Sequence, residues 1–251
     1  MGCRITWLGH ASVVLDVDGA RIVVDPLLGR HNGILRRRGP APRRDQWQRP
    51  DAVLVSHLHH DHAELSSLRL LPAPILTAPA NAAFLRKKGL SATGLGDEWY
   101  DVPGTPVQVR LTRADHGHRP MPHRPNAANG HLVRTPQHLI WLAGDTAFYD
   151  DMAAIPDLAG GPIDLAVVPI GGWGPRLSGG HLGPVTASDA CRTVGAAAAM
   201  PYHWGTLHFP GAAQAPRGWM DAPGEAFAEA LPEHAPGCRS LVLTPGQSVD
   251  L

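Results

Sequence analysis

The chain has 251 residues, 43% of them hydrophobic and 18% charged, which excludes a disordered or fibrous protein. Its 22 basic residues equal its 22 acidic ones, so it lacks the basic excess usual in a nucleic-acid protein. No apolar run approaches the ~18 residues of a membrane span, and the N-terminus has no secretory-signal pattern. Three scattered cysteines, Cys3, Cys191 and Cys238, form neither a disulfide framework nor a thiolate zinc site, and they suit a reducing cytoplasm, the expected location. The 28 glycines and 25 prolines predict many turns. Fifteen histidines direct attention to metal chemistry.

Strands are predicted at 4–8, 12–17 and 20–25, with Asp18-Gly19 as the hairpin turn between the last two. His10 lies between the first two strands, and its simplest reading is a loop residue. Asp25 ends the third strand, where it is either a turn residue or an acceptor that orients a metal-bound imidazole. Residues 30–50 show no periodicity. Arg36, Arg37, Arg38, Arg43 and Arg44 there read as a solvated loop, or else as an arginine-bearing flap that meets an anionic substrate.

Residues 52–55 are a short apolar strand that ends in His57, His59, Asp61 and His62, the pattern H-x-H-x-D-H. Imidazole and carboxylate suit zinc and its neighbours. His57 and His59 share one side of an extended segment. Asp61 and His62 come where the chain turns and can address a second position. One strand end therefore has the means to serve two metals, though four ligands do not complete both.

Helices are predicted at 63–71 and at 81–88, the second capped by Asn81 and stopped by Gly89. The strand predicted at 107–112 runs into His116, with His118 and His123 as poorer candidates in a Pro-rich loop. A hairpin over 131–134 and 138–143 ends in Asp145, which reads as a metal bridge or as the cap of a following helix. The apolar run 163–170 is a strand buried on both faces. A Gly-rich stretch with Trp173 and Arg176 follows it and suits a mobile wall before His181. Thr186 and Asp189 form a capping box that opens a helix to about Val194. His203 ends the next strand, a helix is expected at 224–231, and 241–244 is the expected closing strand. No linker divides the chain, so 1–251 reads as one domain.

The ordered set His57, His59, Asp61, His62, His116, Asp145 and His203 resembles the metal constellation of the metallo-β-lactamase fold superfamily. Trp7-Leu-Gly-His-Ala11, Asp25-Pro26, Ala143-Gly-Asp-Thr146, His181-Leu-Gly-Pro184 and His203-Trp-Gly-Thr206 are similar to one branch of it. That branch holds N-acyl-phosphatidylethanolamine-hydrolysing phospholipase D and L-ascorbate-6-phosphate lactonase-like hydrolases. The resemblance spans residues 4 to 210. It implies an α/β four-layer αββα sandwich with the site at the sheet edges. It also implies that His57, His59 and His116 hold one metal, that Asp61, His62 and His203 hold a second, and that Asp145 bridges them. His10 then borders the metal cleft. His181 falls at an active-site histidine of the phospholipase-like members, expected near the second metal and facing substrate without ligating. The long N-terminal extension of the membrane-working phospholipase has no counterpart in this sequence, and the loops 30–50, with its Arg-rich part 36–44, and 117–130 match nothing in the family, so substrate identity does not transfer.

The expected cofactors are two divalent ions, zinc first, with manganese or iron also accepted by these ligands. The expected activity is hydrolysis of a small ester, lactone or phosphodiester by a hydroxide held at a dinuclear site, with Asp61 orienting the nucleophile and His181 assisting the leaving group. The expected partner is a small molecule, anionic or neutral, rather than nucleic acid. Two other readings compete. A metallo-nuclease shares H-x-H-x-D-H, and a non-catalytic scaffold would use metal for stability alone. A redox two-iron member is disfavoured, because His59 stands where that branch has Glu.

Overall fold

A computed structural model describes residues 2–117, 123–125 and 127–251. The chain opens with β1 (Cys3–Gly9), β2 (Ser12–Val17) and β3 (Ala20–Val24), then the short β4 (His31–Asn32) and β5 (Leu35–Arg37). Next come α1 (Arg44–Trp47), β6 (Ala52–Leu54), α2 (Leu65–Leu68), β7 (Ile75–Thr77), α3 (Pro79–Lys87) and β8 (Ala92–Gly94). The second half begins with β9 (Tyr100–Asp101), β10 (Gln108–Arg113), β11 (Asn129–Arg134) and β12 (Leu139–Leu142). After a 3-10 turn at Asp150–Ala154 it continues through α4 (Ile155–Ala159), β13 (Leu165–Pro169), α5 (Pro184–Thr193), β14 (Ala198–Tyr202) and β15 (Leu207–His208). It closes with α6 (Ala222–His234), β16 (Arg239–Ser240) and β17 (Ser248–Asp250).

Two seven-stranded sheets face each other, in the orders β17-β1-β2-β3-β6-β7-β8 and β16-β14-β13-β12-β11-β10-β9. Alternation along the strands explains the layering. In β2, Val13, Leu15 and Val17 enter the core between the sheets, while Val14 joins a second cluster with Leu58, Leu68 and Leu85 on the helical side. In β3, Ile22 and Val24 go to the inter-sheet core and Val23 goes to the helical side. Strands covered on both faces need continuous apolar sequence, which these have. The result is an α/β four-layer αββα sandwich, as expected. The parallel strands β3 and β6 run side by side, so their ends at Asp25 and His57 emerge on one edge.

Several element bounds differ from expectation. The helix after the histidine motif spans only Leu65–Leu68, because Ala63 N is already used in a turn onto His59 O, and Leu70 and Leu71 close on Ser67 and Leu68. Helix α3 starts at Pro79. Asn81 is not its cap but a buried residue donating to Thr77 Oγ1 and Ala127 O. Helix α5 starts at Pro184, with Thr186 one turn in and accepting from Gly183 N at 2.9 Å. Helix α6 runs Ala222–His234, beyond the expected 224–231. Residues 241–244 are not a strand: a turn from Thr244 to Gln247 follows them, and β17 closes the first sheet against β1 instead. No helix stands at Ala147 for Asp145 to cap.

The region 30–50 is also more ordered than its sequence suggested. β4, β5 and β15 form a small third sheet. Arg37 is buried, its guanidinium donating to Leu8 O at 2.8 Å, Leu27 O at 2.5 Å and Gly29 O at 3.2 Å. Burial pulls its pKa down to about 10, which still leaves it charged at neutral pH. It pins the small sheet to the end of β1, so it is not a solvated loop residue. Arg37→Met should leave these carbonyls unpaired and cost about 2–3 kcal/mol of unfolding free energy in urea titration. A loss below ~0.5 kcal/mol would mean that water replaces the guanidinium.

Candidate metal centre

Ten of the sequence-predicted residues meet at the sheet edges: His10, Asp25, His57, His59, Asp61, His62, His116, Asp145, His181 and His203. All but His59, Asp61 and His181 are fully buried. The imidazoles are aimed by acceptors at their outer nitrogens. His62 Nδ1 lies 2.8 Å from Asp25 Oδ2, His203 Nδ1 2.9 Å from Gly171 O, and His116 Nδ1 3.0 Å from Gly180 O. Carboxylate and carbonyl oxygens only accept, so each of these rings carries a proton on Nδ1 and turns its Nε2 inward. Ser56 does the same for His57. Its hydroxyl donates to Asp25 Oδ2 at 2.6 Å and its oxygen receives His57 Nδ1 at 3.0 Å. Sequence reasoning missed Ser56; its position directly before His57 was the available signal.

The inward atoms fall into overlapping sets. Nitrogens of His57, His59 and His116 lie within 4.8 Å of one another, and so do the ligand atoms of His10, Asp61, His62 and His203. Asp145 stands between the sets. Its Oδ2 is 3.1 Å from His62 Nε2, 3.3 Å from His203 Nε2, 3.3 Å from His181 Nε2 and 4.0 Å from His57 Nε2. Gly144, at φ 67°, makes this approach possible, since a Cβ there would meet Asn129 O at 2.6 Å. His10 Nε2 reaches Asp61 Oδ2 at 2.8 Å, so His10 supports the carboxylate. His10, Asp25 and His203 all hold positive φ, between 42° and 65°. Each such residue costs on the order of 1–2 kcal/mol, which the surrounding packing absorbs where side chains must turn sharply off strand ends.

The donor set fits a divalent ion. His57 Nε2 and Asp145 Oδ1 are buried and have no hydrogen-bond partner among the described residues. A buried orphan costs free energy, and two bare lone pairs in one place are satisfied by a cation. Imidazole and carboxylate without thiolate suit zinc, manganese or iron.

Residues 20–204 match the protein family described as Beta-lactamase superfamily domain. The chain belongs to the beta-lactamase superfamily. It is 30% identical over 262 residues to the UPF0173 metal-dependent hydrolase of Nitratidesulfovibrio vulgaris (strain DP4), covering 100% of this chain and 96% of that one. To N-acyl-phosphatidylethanolamine-hydrolyzing phospholipase D 1 of Caenorhabditis elegans it is 28% identical, over 82% of this chain and 64% of the relative. The structure of Igni18, a metallo hydrolase from Ignicoccus hospitalis KIN4/I, superposes with TM-score 0.76 at 21% identity, covering 100% and 99% of the two chains. This chain is thus a metal-dependent hydrolase of the superfamily. No helix among its described residues is long and apolar enough to cross a membrane.

In this hydrolase the residues line a cavity of about 670 Å³. His59, Asp61, Asp145, His181 and His203 form its floor, and Trp173 and Arg176 stand at its mouth. The arginine-bearing segment reaches the wall through Asn32, Gly33, Ile34 and Leu35, not through its arginines. Arg38 instead pairs with Asp221 and Arg43 with Asp45. His181 packs edge-on against His116 at 4.8 Å and parallel to His203 at 5.9 Å, so it sits over both sets rather than beside the second alone. His123 is exposed, and His118 lies outside the described residues.

Charge in the metal-free centre is already divided. Burial pushes His57 well down, and pushes His10 and His116 down to about 4, so these rings are neutral. Burial opposes ionisation of Asp145, but His203 and His62 outweigh it and hold its pKa well below the carboxylate range. Burial likewise opposes charge on His62, but Asp145 and Asp25 raise its pKa well above the usual value, and His203 is raised chiefly by Asp145. Protons on His62 and His203 therefore balance the carboxylates. Metal needs neutral imidazole, so binding at pH 7 should expel protons, and affinity should fall as pH falls. Titration calorimetry with zinc should show binding of at least one equivalent, with an enthalpy that varies with the buffer's ionisation enthalpy. Less than one equivalent, or indifference to buffer, contradicts this reading.

Proposed function

We propose that this single-domain hydrolase cleaves a small ester, lactone or phosphodiester at a two-metal centre. The observation that carries the reading is the position of Asp145 Oδ2, within 4.0 Å of imidazole nitrogens from both ligand sets. His57, His59 and His116 would hold one ion, Asp61, His62 and His203 the other, and Asp145 both. When bound, such ions supply Lewis acidity toward the scissile group and a nucleophile from water near neutral pH.

The chain's own residues do the rest. Asp25, Ser56, Gly171 O and Gly180 O fix the ring tautomers before any ion arrives, so little reorganisation remains. His10 holds Asp61 in place, and Asp61, at the cavity floor, orients the attacking water. His181 Nδ1 is anchored on Ser178 O at 3.1 Å and its Nε2 lies 3.3 Å from Asp145 Oδ2 at the cavity, so the ring with a proton on both nitrogens would give the Nε2 proton to the leaving group. Arg176 is the one guanidinium lining the cavity among the described residues, and it would meet a negative substituent. An open floor favours catalysis over a scaffold, since structural sites close their coordination with protein ligands. A single guanidinium at the mouth favours a small molecule over a nucleic acid, which needs many backbone contacts.

Two variants test the reading. With a panel of phosphodiesters, lactones and acyl esters, Asp145→Ala should abolish turnover in a chain that still folds. Equal activity in variant and parent would assign the hydrolysis to a contaminant. His181→Ala should keep its metal content and lower turnover by about 10²–10⁴. Loss of a metal equivalent would instead make His181 a ligand, and unchanged kinetics would leave it as ordinary loop.

A further inference from the structure

Among the described residues, eight large hydrophobic side chains are exposed: Ile34, Leu70, Phe148, Trp173, Leu177, Val185, Phe209 and Val242. Four of the eight, Ile34, Trp173, Leu177 and Phe209, line the one cavity above the metal centre. Ile34 is 70% exposed, although the neighbouring Leu35 is buried. Scattered apolar residues are ordinary on a protein surface, but a cluster around a functional cavity has a use.

The cluster is built from separate parts of the chain. Ile34 sits at the turn between β4 and β5. Trp173 and Leu177 come from the Gly-rich stretch after β13, and Phe209 follows β15. Trp173 and Phe209 meet edge to face, with ring centroids 5.4 Å apart, so they brace each other as one wall. Because β15 pairs with β5, the small third sheet carries both Phe209 and the Ile34 turn to the same rim. The floor of the cavity is polar, and its walls are apolar apart from Asn32, His60, Arg176 and Ser178, within one continuous volume of about 670 Å³. Pockets of this size and lining hold small ligands whose apolar body is buried while a few polar groups fix the orientation.

We propose that the Ile34–Trp173–Leu177–Phe209 wall is a subsite for an unbranched apolar chain attached next to the scissile bond, so that the substrate is a medium-chain acyl or alkyl compound, monomeric in water. The proposal deepens the hydrolase reading and rests on it for the word substrate; the subsite itself does not require turnover. The chain lies along the wall while the polar head reaches the floor. Trp173 and Phe209 set the preference for length, since each methylene that they cover leaves water.

The test separates binding from hydrolysis. Calorimetry with the zinc-loaded protein and sodium acetate, butyrate, hexanoate and octanoate reads the subsite through the product-like carboxylates. Half-burial of each added methylene should raise affinity roughly fourfold for every two carbons. The Trp173→Ala/Phe209→Ala double variant should flatten that slope, and both side chains are exposed enough that the fold survives their loss. The matching 4-nitrophenyl esters read kcat/KM, which should climb along the same series. A flat affinity series in the parent protein, or a slope retained in the double variant, overturns the subsite. Rising affinity without hydrolysis of any ester leaves the subsite standing and sinks the hydrolysis of esters. Hydrolysis with no dependence on chain length does the reverse.

Discussion

The carboxylate of Asp25 is the contact on which the rest of the centre depends. It is fully buried and accepts from Ser56 N at 2.8 Å, Ser56 Oγ at 2.6 Å and His62 Nδ1 at 2.8 Å. The first bond ties the end of β3 to the end of β6, and so holds the start of the histidine motif in register. The second orients Ser56 so that its oxygen receives His57. The third turns His62 toward Asp145. Hydrogen bonds to a charged acceptor are worth about 1.5–3 kcal/mol each, enough to offset the positive φ that Asp25 must adopt. One side chain thus decides the tautomers of rings assigned to both ligand sets.

That arrangement needs a rigid frame, and the apolar strands provide it. Parallel pairing of β3 with β6, of β12 with β13 and of β13 with β14 puts the strand ends that carry the site on neighbouring edges of two facing sheets. The core between the sheets is continuous from Trp7 to Tyr202, and Trp204 stacks on Trp7 at 5.3 Å. The His10 turn and the His203 turn are joined directly, by His203 N donating to His10 O and by His10 N donating to Thr206 Oγ1 at 2.7 Å. Strain at three left-handed residues persists because packing on both sides leaves no cheaper conformation.

The walls of the cavity follow a different logic. They come from short connections that carry little of the core, so their side chains are free of packing demands and can answer to a ligand. The metal floor is set by buried acceptors and tolerates little change. The rim of Ile34, Trp173, Leu177 and Phe209 is exposed, so substitutions there should cost little stability.

The sequence by itself determined the layers and the chemistry of the floor. Continuous apolar runs such as 163–170 announce strands covered on both faces, and H-x-H-x-D-H at a strand end announces a metal, because these signals are local and periodic. His10, Asp25 and Asp145 were each legible as two things; tertiary structure brings His10 to Asp61 and Asp25 to His62, and it removes the helix that Asp145 would have capped. Trp173 was legible as part of a wall, but the bonds of Ser56, the burial of Arg37 and the arrival of Ile34 and Phe209 at the same rim were not. A serine, an arginine or a phenylalanine carries no periodic signature of its role. That role depends on which segments arrive beside it, and only the pairing of β15 with β5 and of β3 with β6 fixes those neighbours.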